Sequence, residues 1–116
     1  MKRLTEIAVN ERQADCAGRL ARFFPEASVV RIPVQVTALR AGRSKLREAT
    51  VVEFGGAQHA IFVSTLPLEF EDRVRVERDL PGSVSDATVV AVQYHEGRKA
   101  VAVKFTQGLA DWVKQP

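Results

Sequence analysis

Arginine is the residue type whose abundance and spacing in this chain most suggest chemistry. Arg19, Arg22, Arg31, Arg40, Arg43, Lys45 and Arg47 stand between residues 19 and 47 against one acid, Glu26. That segment carries a net +6; the whole chain carries +3, so the remainder carries −3. Concentrated basic charge points to an anionic partner. Six of the seven basic residues are arginine, whose planar fork meets phosphate in a bidentate way that a lysine ammonium does not.

The other reactive residue types are sparse. His59 and His95 belong to no HxH or HExxH spacing, so no metal site is expected. Cys16 is the single cysteine. It excludes an internal disulfide and a cysteine-based zinc site, and a reducing, cytoplasmic setting is the simplest reading. Ser64, Ser83 and Ser85 lack the glycine context of a nucleophile elbow. Glu69, Glu71 and Asp72 crowd into one charged connection, where carboxylates solvate a loop. No catalytic site, cofactor or metal is therefore expected. The aromatics Phe23, Phe24, Phe54, Phe62, Phe70, Tyr94, Phe105 and Trp112 are scattered, without the exposed stripe of a stacking platform.

The elements that must position the arginines follow from periodicity. The chain has 116 residues, the size of one ordinary domain, with 46% hydrophobic and 27% charged residues. No apolar run is long enough to span a bilayer, and none follows the basic N-terminus as in a secretory signal. From Leu4 to Phe24 apolar residues recur at spacings of three and four, which predicts an N-terminal helix stopped by Pro25. Gly18 weakens its middle. Beyond Pro25 the period becomes two. Strands are expected over 29–39, 46–54, 57–64, 73–78, 84–94 and 99–106, with turns at Gly55-Gly56, Pro81-Gly82 and His95–Arg98. Pro33 cannot donate to a ladder, so its nitrogen should face away from a partner strand. The expected core is Val34, Val36, Val52, Ile61, Val74, Val76, Val90, Val92, Val101, Val103 and Phe105. The chain reads as mainly β: a six-stranded antiparallel barrel, with an N-terminal helical extension over 1–28, the barrel domain over 29–116, and a short C-terminal helical turn over Gly108–Val113.

The order of these segments resembles the PilZ domain family of cyclic di-GMP signalling proteins. The resemblance runs from Ile32 to Trp112. Ile32-Pro33-Val34-Gln35-Val36 matches the opening strand. Ala49 to Ala57 falls where the family places a strand-to-turn motif. Leu66 to Val76 is similar to its leucine, turn and V-x-V passage. Ala87 to Val92 and Lys99 to Phe105 are similar to its last two strands.

Ligand-binding members of that family carry RxxxR before the first strand and an Asp/Asn-x-Ser-x-x-Gly after the second. Here the second motif reads Glu53-Phe54-Gly55-Gly56-Ala57-Gln58: Glu53 keeps the acid, Gly55 replaces serine, and Gln58 replaces glycine. The one RxxxR, Arg43 to Arg47, follows the first strand instead of preceding it. The resemblance therefore implies a signalling or adaptor module that binds cyclic di-GMP weakly or non-canonically and acts through a protein partner. Its implied contacts are Arg31 first, then Arg22 and Arg19 from the helix end, with Arg43 and Arg47 in reserve, around Glu53, Gly55 and Gln58. The competing expectation is a small basic barrel that binds single-stranded nucleic acid.

Overall fold

In the computed structural model, residues 16–39, 46–79 and 84–106 are described. They form one short helix, α1 (residues 16–21), and six strands: β1 (Ser28–Ala38), β2 (Leu46–Gly55), β3 (His59–Val63), β4 (Arg73–Glu77), β5 (Val84–His95) and β6 (Arg98–Phe105). All strand pairs are antiparallel, and they close a barrel in the order β1-β2-β3-β6-β5-β4. The expected mainly β class and six-stranded barrel are thus observed. Of the expected helix over 4–24, residues 16–24 fall among the described residues; 16–21 are helical and 22–23 form a turn, so the helix ends three residues before the expected stop at Phe24, and the expected C-terminal turn lies outside the described residues.

Strict alternation builds the interior. Val34 and Val36 from β1, Val74 and Val76 from β4, and Val101, Val103 and Phe105 from β6 point inward with Phe62 and Val52. Leu66 and Leu68, from the connection between β3 and β4, join the same cluster. A second cluster lies outside the barrel. Cys16, Ala17 and Leu20 of α1 pack on Ile61 of β3 and on Ala100 and Ala102 of β6, with Phe24 and Phe54 half-buried at the edge. The small alanines of β6 let the helix approach the sheet closely, so the middle of β6, residues 100–103, is buried on both faces. Ile61 is accordingly buried beneath the helix, outside the barrel interior.

Three irregularities interrupt the ladders. On β1, Val30 and Arg31 together oppose Glu53; toward β3, Glu53 is itself the extra residue between Val52↔Phe62 and Phe54↔Ile61. On β5, Val90 is extra between Val89↔Val103 and Ala91↔Ala102. A bulge moves every later side chain to the other face. Val89 therefore fills the interior, and Val90, expected there, is only half-buried against the outer cluster. Val92 returns to the inner side but is half-buried.

Two turns show different uses of glycine. Glu96 and Gly97 have φ of 52° and 78°, the paired left-handed geometry of a two-residue hairpin. Gly56 serves proximity instead: a Cβ there would stand 3.2 Å from the carbonyl oxygen of Glu26, so the strand entering from α1 crosses directly over the β2–β3 turn. His59 secures the same crossing from below. Its ring lies 4.9 Å from that of Phe24, and its Nδ1 is 3.2 Å from Oε2 of Glu26, a close approach without hydrogen-bond geometry.

The barrel seam lies between β1 and β4. Their pairing runs only from Gln35↔Glu77 to Ala38↔Val74. Leu39 N–H donates to Arg73 C=O at 2.9 Å, so odd-numbered residues of this stretch turn their amides toward β4. Thr37 is among them, opposite Arg75. Pro33 has the same parity, and its nitrogen faces the β4 side beyond the last paired residue. Among the described residues no strand pairs with β1 at Pro33 on that side.

Candidate functional site

The paired irregularities on β1 and β2 decide which charged groups meet. Val30-Arg31 opposite Glu53 aligns an arginine with a carboxylate near one end of the β1–β2 ladder. Glu53 is half-buried on the side of the barrel that carries α1. Burial pushes its carboxyl above the ordinary carboxylate range, while Arg31 and Arg98 act in the opposite direction and favour the anion. Cys16, on the first described turn of α1, feels the same groups. Burial raises its thiol, the Glu53 carboxylate raises it further, and Arg98 opposes both. The thiol is buried and held protonated, so it is no nucleophile.

Arg98 was not among the residues expected from the sequence, where it reads only as the last residue of a hairpin turn. It opens β6, which pairs with β3, which pairs with β2. Its charge acts on Glu53 across 45 residues of chain, and no local signal announces it. Both arginines are exposed and Glu53 is half-buried.

The other expected residues divide. Arg31 lies three residues inside β1 rather than before it, because the strand begins at Ser28. Gly55 closes β2, pairs with both Ser28 and Ala60, and is buried. Gln58 holds its place through its backbone, its C=O accepting from Phe105 N–H at 2.8 Å, and its side chain is exposed. Arg19 and Arg22 are exposed, on the side of the helical segment away from the buried Cys16, Ala17 and Leu20. Arg43 lies outside the described residues. Arg47 stands six positions before Glu53 on the same strand, about 20 Å away at the usual rise. It faces Glu77 of β4 at 3.5 Å. The RxxxR pair is thus not brought to the Glu53 end of the ladder through Arg47.

A second polar cluster sits at the opposite mouth of the barrel. Glu48 accepts from Ser64 Oγ at 2.7 Å, from Thr65 N–H at 2.8 Å and from Thr65 Oγ1 at 2.6 Å. Leu66 N–H donates to Ser64 Oγ at 3.0 Å, and Lys99 Nζ donates to Leu66 C=O. Ser64 is 3% exposed with its proton committed to a carboxylate. This network fastens the β3–β4 connection over the core and presents no nucleophile.

Among the described residues no group of three or more His, Cys, Asp or Glu is placed to hold a metal ion. None of their helices is long and apolar enough to cross a membrane. No family model matches the chain, and no curated protein matches it.

Proposed function

We propose that this chain is a PilZ-like signalling or adaptor module of the cytoplasm. On this reading it binds cyclic di-GMP weakly on the outer face of the β1–β2 ladder and acts through a protein partner, with no chemistry of its own. The observation that carries the reading is the convergence of Arg31, Glu53 and the Gly55-Gly56 turn at one end of that ladder. Glu53 keeps the acid of the family's motif, and Arg31 is the contact that the resemblance implies first. A dinucleotide with two phosphates and two guanines asks for exposed guanidinium groups beside a close-approach turn. Arg31 supplies the first, and Arg19 and Arg22 extend the basic surface on the helical side.

The binding is weak on this reading because two motif positions are altered. Gly55 offers no hydroxyl, and Gln58 adds bulk at the turn. Titration calorimetry with cyclic di-GMP, beside a single-stranded oligonucleotide at two salt concentrations, tests it. Micromolar dinucleotide binding that is lost in Arg31→Ala supports the reading. Oligonucleotide binding that falls steeply with salt replaces it with the nucleic-acid alternative. Silence toward both removes the nucleotide and leaves a protein partner alone.

A further inference from the structure

We infer that His59 and Glu26 form a pH-dependent latch: a proton on the imidazole clamps the link between α1 and β1 onto the barrel, and its loss frees the link. The inference goes beyond nucleotide binding and does not depend on it. Three observations carry it. Nδ1 of His59 stands 3.2 Å from Oε2 of Glu26, yet this nitrogen is buried and has no hydrogen-bond partner. The imidazole is 13% exposed and tilted against the ring of Phe24, the last residue before Pro25. The link runs tight over the β2–β3 turn, because a Cβ on Gly56 would stand 3.2 Å from the Glu26 carbonyl oxygen and 3.6 Å from Ala27 Cα. The path of the chain therefore holds carboxylate and imidazole together without a bond between them.

A neutral imidazole in this arrangement gives the carboxylate no counter-charge. An imidazolium turns the same approach into a salt bridge. The remaining elements around the imidazole contribute as follows. β6 sets Lys104 directly opposite His59 in the ladder, so the two side chains leave the same face and the ammonium opposes a second positive charge. α1 turns Arg19 and Arg22 outward. The β2–β3 turn, from Gly55 to Gln58, brings no titratable group. The link leads directly out of the stretch that seats Cys16, Ala17 and Leu20 on β3 and β6. Closing the latch in acid therefore fixes α1, with its two outward arginines, more firmly on the barrel.

The test is amide hydrogen exchange of the full chain at about pH 5.5 and about pH 8, on either side of the ordinary imidazole range, with each rate expressed relative to an unstructured peptide at the same pH. Phe24 N–H and Ala27 N–H, which donate to Ala21 C=O and Phe24 C=O, report the latch. Leu39 N–H, which donates to Arg73 C=O across β1 and β4, is the reference. Protection of Phe24 and Ala27 should rise roughly threefold in acid, the scale of one partly screened ion pair, while that of Leu39 holds. Glu26→Gln and His59→Gln should each abolish the rise, and Lys104→Gln should enlarge it. If His59→Gln folds poorly, the exposed change Glu26→Gln decides alone. Equal protection at both pH values in the unmodified chain overturns the inference, as does a rise that persists in Glu26→Gln. A rise shared by Leu39 also overturns it, because it reports the whole fold rather than the link. None of these outcomes touches the cyclic di-GMP reading, which the titration above decides.

Discussion

Glu53 carries the residue-scale consequences. A carboxyl pushed upward by burial holds its proton in the folded chain at pH values where the unfolded chain has released it. Between the ordinary carboxylate value and the raised one, the folded state binds more protons, so stability falls as pH rises through that window. Below the ordinary value both states are protonated and the effect is absent from the slope. Urea denaturation of the unmodified chain should therefore show a stability decline on passing upward from the carboxylate range, and Glu53→Gln should flatten it. An unchanged slope in Glu53→Gln would assign the decline to other groups. Burial outweighs the two arginines here because neither one closes to a tight ion pair with the carboxylate, and an exposed guanidinium acts through water that screens it. The contrast with Arg47 is instructive: it stands 3.5 Å from Glu77 at the surface. Arg47→Gln should cost roughly 0–1 kcal/mol in the same denaturation series.

At the scale of elements, the helix is the part most open to change. Leu20 is buried at the centre of the outer cluster and touches none of the barrel interior. Leu20→Ala should cost about 2–4 kcal/mol through lost burial and a cavity beneath α1. Gly18 sits in the same helix, and a Cβ there would meet only Phe54 Cζ at 4.0 Å, an ordinary contact. Gly18→Ala should therefore stabilise by about 0.5–1 kcal/mol, the usual gain in helix propensity. Thermal melts of both variants check the pair, and a destabilised Gly18→Ala would mean that α1 lies closer to β2 than its contacts indicate. The six strands were legible in the sequence because period-two alternation and turn residues are local signals. The faces of Val101, Val103 and Phe105 against Ala100 and Ala102 followed from the same alternation. The bulges were not legible. An extra residue is defined only against the partner strand, so Val90 was assigned inward and Glu53 gave no sign of its double irregularity. Arg31, Glu53 and Gly55 could be nominated from the resemblance, whereas the influence of Arg98 on Glu53 comes from 45 residues away in the chain.

For the whole molecule, closure depends on a short seam. Four residue pairs between β1 and β4 complete the ring, and Thr37 turns its amide into that seam opposite Arg75. Thr37→Pro removes this donor and crowds the ladder where strands flank β1 on both sides. The expected loss is about 3 kcal/mol or more, enough to unfold a domain of ordinary stability. Far-ultraviolet circular dichroism and a urea titration would show it, and a cooperative transition at the original midpoint would prove the seam dispensable. The seam also joins segments far apart in sequence, since β4 lies between the β2–β3 hairpin and the β5–β6 hairpin. Such non-local closure belongs to slow-folding β topologies, in which the ring forms late.

Pro33 stands where that seam stops. Because its nitrogen faces the β4 side past the last paired residue, the margin of β1 left unpaired there among the described residues lacks a donor at the position where a foreign strand would first need one. The ring alone does not protect this stretch from edge-to-edge recruitment; the imide does. Pro33→Val would supply the missing donor and a β-branched side chain in a run that already holds Val29, Val30, Ile32 and Val34. The variant should fold as before yet form concentration-dependent oligomers and seed fibrils sooner on agitation, visible by light scattering and thioflavin fluorescence. On this view proline at position 33 is a colloidal safeguard: it does little for the stability of one copy and much for keeping many copies apart.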